Sequence, residues 1–197
     1  MHVYILFAHP AEKSFCRDVL HTFTEALNQF GHSFVVNDLY KSGFKSDMDQ
    51  EQYLREVAVD PIAKLPDDVE KEHQRIEQAD SLAFIFPVWW SDAPAILKGW
   101  FDRVWSNGYA YSYRTDGTRF SQINPKRAIV LCSAGHTEEN LAETGIADSM
   151  RKIMIQDRLK NVGFTDVRME ILGGMMPNDF TYRKQNLERV RSVCRNL

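Results

Sequence analysis

Residues 81–113 read SLAFIFPVWWSDAPAILKGWFDRVWSNGYAYSY. The first six are a short apolar run, rich in aromatic and branched side chains, which predicts a strand buried on both faces. Pro87 ends this run because it lacks a backbone donor and fixes its own φ. From Pro94, apolar side chains recur at helical spacing until Asn107-Gly108, so a strand, a turn and an amphipathic helix follow one another.

The turn between this strand and this helix carries Trp89 and Trp90. Two large rings on a loop are costly to leave exposed. We therefore expect them either to pack under the loop or to line a binding site, and we favour the second interpretation. Core packing is the simpler interpretation for Ile96, Leu97, Phe101 and Val104 on the helix.

Length and charge limit the classes of protein to consider. A chain of 197 residues predicts one domain, residues 1–197. A net charge of −3 and a pI near 6.1 lack the basic excess typical of nucleic-acid binding. No segment approaches the roughly 20 apolar residues of a membrane span, and MHVYILFAHP at the start lacks the features of a signal peptide. We expect a cytoplasmic protein.

The three cysteines are Cys16, Cys132 and Cys194. Their odd number and wide spacing argue against a disulfide framework and against a zinc site. They are interpreted as reduced thiols, with Cys132 in the core, and no motif predicts a metal site.

Apolar periodicity predicts strands at residues 3–8, 33–38, 81–86, 128–133 and 167–172. Helices are predicted at residues 14–30, at 67–78, from 94 onward, within 138–162 and at 179–195. Alternating strands and helices indicate an α/β fold with a parallel sheet, since parallel neighbours need crossover connections. Five strands predict a flavodoxin-like, doubly wound sheet in the order 2-1-3-4-5 with helices on both faces.

Two polar segments, residues 37–66 and 111–125, are too long for minimal connections. Such loops are usually functional lids or partner surfaces, and disorder is an equal alternative for residues 46–60. Tyr111 and Tyr113 alternate along the second segment, so they share a side if it is extended. They are either ordinary packing residues or a lid that stacks on a planar substrate.

In the predicted strand order, the winding direction reverses between strands 1 and 3, and the carboxyl ends of these strands open a crevice. The loop after strand 1 places His9, Lys13 and Ser14 where a helix begins. Backbone donors at a helix start suit phosphate, with Ser14 as a candidate cap. The alternatives are a hydrogen-bonded turn histidine and a solvated lysine.

The loop after strand 4 contains small residues that permit close approach of the backbone to a ligand, although Gly135 equally suits a turn. A phosphate cradle, an aromatic wall and backbone donors at one crevice together predict a flavin site. No nucleophile-base pair or metal motif supports hydrolysis or metal catalysis. No glycine-rich nucleotide-binding motif is present either.

Two groups of residues carry a resemblance to a known family. One is Ala8-His9 with Ser14-Phe15. The other is Phe86-Pro87 with Trp90, continued by PAILKGWF at 94–101, by RV at 103–104 and by AY at 110–111. Together they resemble the NAD(P)H:quinone oxidoreductase family, the DT-diaphorase group of flavodoxin-like flavoproteins.

This resemblance implies a flavin held by three loops, with the phosphate arm on the first loop and the ring on the other two. The implied residues are His9, Ser14, Phe15, Cys16, Pro87, Val88, Trp89, Trp90, Ser91, Ser133, Ala134, Gly135 and His136. It also implies a homodimer with a shared site, in which Tyr111 and Tyr113 correspond to two lid tyrosines.

The chain departs from the family at the residues thought to relay charge. Alignment on Gly145-Ile146 places Leu141 and Ala147 where well-known members have a tyrosine and a histidine. We therefore predict no such relay. The protons that accompany hydride transfer would then come from solvent or from the candidate catalytic residues Tyr111, Tyr113 and His136. Cys16 also replaces an asparagine of those members, and only one glycine stands where they have two.

The resulting prediction is a flavoenzyme that takes hydride from NADPH or NADH and reduces a quinone or a similar planar acceptor in a ping-pong cycle. The resemblance favours FAD, with FMN as the alternative. A rival prediction is a flavin-bearing ancillary subunit of a glutathione-gated potassium efflux system, with a transporter partner. A flavodoxin-type electron carrier ranks last, because such carriers are usually strongly acidic.

Overall fold

The computed structural model describes residues 1–58, 64–176, 180–195 and 197. Five parallel strands form its central sheet. In chain order they are β1 His2–Phe7, β2 Ser33–Asp38, β3 Ser81–Pro87, β4 Arg127–Ser133 and β5 Asp166–Leu172. They lie in the spatial order β2-β1-β3-β4-β5, which confirms the predicted order. All seven residues of β3 are buried, as an uninterrupted apolar run at the centre of a sheet requires.

The α-helices of the described chain are α1 Phe15–Gln29, α2 Gln50–Ala58, α3 Asp67–Glu77, α4 Ala95–Val104, α5 Glu138–Glu143, α6 Ile146–Arg151 and α7 Phe180–Arg195. A π-helix, Lys152–Leu159, and a short 3₁₀ turn, Lys160–Val162, follow α6. The antiparallel strands Ser112–Tyr113 and Arg119–Phe120 form a small hairpin apart from the main sheet. No helix of the described residues is long and apolar enough to cross a membrane.

Alternate residues of the strands face two separate hydrophobic clusters. Val3 and Ile5 of β1 pack in one cluster with α1 and α7. Tyr4 and Leu6 pack in the other with α3 and α4. Because side chains of a strand point alternately to its two faces, helices cover both sides of the sheet.

The polar segment after β2 is more regular than its composition indicates, because it contains α2. The side chain of Gln52 donates to the carbonyl of Arg103 at 2.8 Å and accepts from its Nε at 2.9 Å. A Cβ on Gly99 would overlap the carbonyl oxygen of Ser46. The segment therefore packs closely on α4. Residues 59–63 lie outside the described residues.

The region predicted as one helix within residues 138–162 is divided into several pieces. Gly145 has a φ of +73° between α5 and α6, and a left-handed residue cannot continue a right-handed helix. Gly163, at φ +107°, ends the 3₁₀ turn, as its position predicts. The last helix was predicted from residue 179, which lies outside the described residues.

Candidate active site at the carboxyl end of the sheet

Ser133, the last residue of β4, connects the three loops that follow β1, β3 and β4. Its carbonyl accepts the N–H of Val88 at 2.7 Å. Its hydroxyl lies 3.0 Å from the thiol of Cys16 in the first turn of α1. The rings of His9 and Trp89 are also neighbours, tilted by 57° with centroids 6.4 Å apart. The three predicted loops therefore converge on one cleft.

The first loop ends in a capped helix start. Ser14 has extended backbone angles, and its hydroxyl accepts the N–H of Arg17 at 3.2 Å, which confirms the predicted cap. The N–H groups of Phe15 and Cys16 belong to the first turn, where no preceding helical carbonyl exists. These donors and the positive end of the helix dipole suit an anion.

His9 is held in one neutral form by its neighbours. Its Nδ1 accepts the N–H of Ala11 at 3.1 Å, so the ring proton lies on Nε2. Partial burial lowers the pKa of His9 and Arg17 adds to this shift, although the hydrogen bond with Ala11 and the Asp38 carboxylate oppose it. At neutral pH His9 is therefore an uncharged Nε2–H donor beside the helix start.

The thiol of Cys16 is a structural group. Burial raises the pKa of Cys16 to about 11, although the hydrogen bond with Ser133 opposes this shift. Cys132 and Cys194 are also buried and free. Since a protonated thiol is a poor nucleophile, Cys16 acts through packing and hydrogen bonding.

The second loop is a tight turn that carries the two tryptophans. The N–H of Trp89 donates to the carbonyl of Asp92 at 2.9 Å, and the reverse bond measures 3.1 Å. Neither ring packs under the loop, because Trp89 is 43% exposed and Trp90 fully exposed. Of the two expectations for these rings, packing under the loop is wrong. Trp89 faces His9 across the cleft, whereas Trp90 projects into solvent.

The third loop is supported from behind by the chain that follows β5. Amides of Gly174, Met175 and Met176 donate to the carbonyls of His136, Ala134 and Gly135 at 2.9–3.1 Å. Within the described residues, the N–H groups of Gly135 and His136 bind no protein acceptor. These two amides are therefore available as hydrogen-bond donors.

Comparison with known proteins agrees with this geometry. A family model described as a flavodoxin-like fold matches residues 1–194. The solved structure of an NAD(P)H:quinone oxidoreductase from Methanothermobacter marburgensis is 58% identical, with a TM-score of 0.95, and the match covers all of this chain and 96% of that one. The chain belongs to the NAD(P)H:quinone oxidoreductase family. The resemblance identified from the sequence is thereby confirmed.

Curated relatives support the same membership. An uncharacterized NAD(P)H oxidoreductase of Haemophilus influenzae is 30% identical over 185 residues, covering 93% of this chain and 89% of that protein. NAD(P)H dehydrogenase [quinone] 1 of Cavia porcellus is 31% identical over 201 residues, covering 86% of this chain and 73% of that protein. Both matches cover most of this chain, so the resemblance is not confined to one motif.

Within the described residues, the two tyrosines that the family resemblance implies make their contacts outside the three loops. The hydroxyl of Tyr111 points to Glu56 of α2, at 3.4 Å, and the guanidinium of Arg119 lies 5.4 Å from its ring centroid. Burial and the nearby Glu56 carboxylate raise the pKa of Tyr111. Tyr113 is 59% exposed on the hairpin. These contacts do not place Tyr111 or Tyr113 against the three loops.

The two residues that the resemblance aligns with the family's charge relay are apolar. Leu141 and Ala147 are both buried in the cluster that contains α4. Neither side chain carries a proton that it can transfer. His136, the third candidate catalytic residue, is exposed at the end of the third loop.

Sequence reasoning missed an ion pair beside the tryptophan turn. The guanidinium of Arg158 binds both carboxylate oxygens of Asp92, at 2.7 and 2.8 Å. Burial alone would raise the pKa of Asp92, but Arg158 and the N–H of Ala93 hold it below its ordinary value. No specific signal in the sequence indicated this pair, because Arg158 lies among other polar and charged residues such as Gln156, Asp157 and Lys160.

Proposed function

We propose that this family member is a flavin-dependent oxidoreductase that oxidises NADH or NADPH and reduces a quinone or a similar planar acceptor. We also propose that residues 1–197 form one domain. The convergence of three loops on Ser133 carries the proposal, because it joins a helix start, an aromatic turn and a donor-rich loop in one cleft. The names of the relatives, which are oxidoreductases, support the same reaction.

The residues present fit a flavin. His9 Nε2–H, the Ser14 hydroxyl and the first-turn amides of α1 would hold its phosphate. The ring would lie between the second and third loops, bordered by Pro87, Val88, Trp89, Trp90, Ser91, Ser133, Ala134, Gly135 and His136. A bound flavin would supply the redox chemistry, accepting hydride from the nicotinamide and passing it to the acceptor in a ping-pong cycle.

A groove between α1 and α7 favours FAD over FMN. It measures about 700 Å³ and is lined by Asp18, Phe180, Arg183, Lys184, Leu187 and Arg191. It begins beside the candidate phosphate site, since the guanidinium of Arg183 lies 5.4 Å from the ring centroid of Phe15. Basic side chains over an apolar floor suit the adenosine half of FAD, which FMN lacks.

We propose that a second copy of the chain completes the site. Tyr111 and Tyr113 contribute little to the cleft of their own chain, and Tyr113 is exposed on a hairpin. In a homodimer these rings would cover the partner's cleft and stack on a planar acceptor. They and His136 are then the candidate proton donors.

Cofactor binding and turnover test the main proposal. Protein incubated with FMN or FAD and then desalted should be yellow, and heating should release a flavin whose mass identifies it. NADH or NADPH should bleach the flavin absorbance in a stopped-flow instrument, and a quinone should restore it. Protein that stays colourless after incubation with either flavin would contradict the proposal.

Two variants test the choice of FAD. Arg191→Glu places a negative charge in the α1–α7 groove and should weaken FAD binding while leaving FMN binding unchanged. Arg127→Glu, at the opposite end of the sheet, is the matched control. Equal effects of Arg191→Glu on the two flavins would contradict an adenosine site in this groove.

Complementation tests the shared site. A Tyr111→Phe, Tyr113→Phe chain and a His9→Ala chain should each be impaired alone, and mixed dimers should recover one intact site. Failure of mixing to restore activity, with dimers verified by sedimentation, would exclude a shared site.

The remaining predictions concern location and partners. We propose that the protein is cytoplasmic. The rival role as a subunit of a potassium efflux system stays a prediction, and a pull-down with the cytosolic domain of such a transporter tests it. Association at micromolar concentration would favour that role.

A further inference from the structure

The turn after β3 adopts a backbone conformation that its residues disfavour. Trp90 and Ser91 have φ values of +50° and +64°. The bonds between Trp89 and Asp92 enclose these two residues in a two-residue hairpin turn. Turns with two left-handed central residues usually carry Asn-Gly, because a Cβ clashes in this region. Other contacts must therefore hold this turn in place.

The ion pair between Asp92 and Arg158 is such a contact. Two parallel bonds of 2.7 and 2.8 Å fix the carboxylate in one orientation, and the N–H of Ala93 donates to the same carboxylate at 2.6 Å. The side chain of Arg158 is only 9% exposed. The side chain of Asp92 is 40% exposed, so the guanidinium is the poorly screened member of the pair, and the two parallel bonds fix the geometry.

Arg158 is itself fixed from three sides. It belongs to the π-helix Lys152–Leu159, a geometry that is rare and frequent at functional sites. Its carbonyl accepts the indole N–H of Trp105 at 2.8 Å. Its guanidinium lies 5.3 Å from the ring centroid of Phe101 on α4. The turn is thus anchored to both the π-helix and α4.

We infer that the Asp92–Arg158 pair is a positioning device that holds the tryptophan turn in its flavin-binding conformation. The inference rests on the proposed function, since it assigns this turn to the wall of the flavin site. Neither charged group reaches the cleft through its own contacts, so both act through Trp89, Trp90 and Ser91. Without the pair, the turn spends part of its time in conformations that do not border the flavin. The affinity for flavin then falls by the fraction of molecules whose turn is in those conformations.

Flavin titration of the wild type and two variants tests this role. Arg158→Met keeps an unbranched apolar stem and removes the guanidinium, and we expect the flavin Kd to rise about tenfold. Arg127→Met breaks another arginine–carboxylate pair, a more exposed one with Asp166 at 2.6 Å, at the amino end of β4. This matched control should change the Kd by less than about twofold.

A rescue experiment separates positioning from general stabilisation. Glycine at residue 91 favours the left-handed conformation without help from an ion pair. In a Ser91→Gly background, adding Arg158→Met should therefore raise the flavin Kd by less than about threefold. If Arg158 only stabilises the fold, the loss of affinity should be as large in this background as in the wild type.

The outcomes are distinguishable from one another. Wild-type protein that binds no flavin overturns the proposed function and this inference with it. Wild-type binding with an unchanged Kd for folded Arg158→Met, or a full loss of affinity in the Ser91→Gly background, overturns the inference alone. Should Arg158→Met fail to fold, Asp92→Asn is measured against the same thresholds.

Discussion

The thiol of Cys16 lies 3.0 Å from the hydroxyl of Ser133, a residue 117 positions further along the chain. This contact joins the start of α1 to the end of β4. Because the carbonyl of Ser133 also accepts the N–H of Val88, one residue ties together all three loops of the candidate site. The shape of the cleft therefore depends on a few hydrogen bonds between distant segments.

Removing the Cys16 thiol should affect both stability and flavin binding. Cys16→Ala deletes a buried atom and its hydrogen bond, so we expect the free energy of unfolding to fall by about 1–2 kcal/mol. Cys194→Ala removes an equally buried thiol on α7, which donates to the carbonyl of Phe23 and not to Ser133. Urea denaturation should show similar losses, whereas flavin titration should show weaker binding only for Cys16→Ala. Equal flavin affinities for the two variants would contradict the role of this contact.

Two substitutions at Ser14 separate helix capping from phosphate binding. Ser14→Ala removes the cap of α1 and should lower the free energy of unfolding by about 1 kcal/mol. Ser14→Asp keeps a capping oxygen and should hold stability within about 0.5 kcal/mol of the wild type. Its negative charge should nevertheless repel the flavin phosphate and weaken binding more than Ser14→Ala does. Tighter flavin binding by Ser14→Asp than by Ser14→Ala would exclude phosphate from this helix start.

Acid should remove the stabilisation that Asp92 provides. Its pKa in the folded protein lies below the ordinary value of 3.8, because Arg158 and Ala93 outweigh the effect of burial. A lowered folded pKa means that the stabilisation is fully present above the ordinary value and is lost as pH falls through the folded pKa. The difference in unfolding free energy between wild type and Asp92→Asn should stay constant from about pH 8 to pH 5 and narrow below about pH 4. Denaturant titrations across this range measure this difference, and a difference that does not narrow at all below about pH 4 would contradict the assignment.

Gly99→Ala should loosen the segment that contains α2. The new Cβ would overlap the backbone carbonyl of Ser46, which cannot rotate away as a flexible side chain does. We expect a loss of about 1–3 kcal/mol in unfolding free energy and faster proteolysis near residues 46–58. Lys98→Ala, at the exposed neighbouring position, should change stability by less than about 0.5 kcal/mol. Equal stability of the two variants would show that the segment shifts to accommodate the new Cβ without a loss of unfolding free energy.

Local sequence patterns were sufficient for much of the fold. The apolar run of β3 and its Pro87 stop predicted a central buried strand, and the structure confirms it. Ser14 predicted the start of α1 because capping depends on neighbours within a few residues. The alternation of strands and helices then predicted the sheet order, since few connections between parallel strands are possible.

Other features were beyond local patterns. The helix α2 lies in a polar segment whose regular structure depends on packing against α4, including the pair Gln52 and Arg103. The break at Gly145 separates two helices that periodicity alone predicts as one.

For the candidate site, the amino-acid sequence was enough to predict which loops would meet, because the carboxyl ends of parallel strands share one edge of a sheet. It did not indicate that Ser133 would bind Cys16, that Asp92 would pair with Arg158, or that Trp90 would project into solvent. Those contacts depend on the distance and orientation of side chains brought together from remote parts of the chain. Hydrogen bonds and ion pairs are sensitive to tenths of an ångström, and no spacing along a sequence specifies distances on that scale.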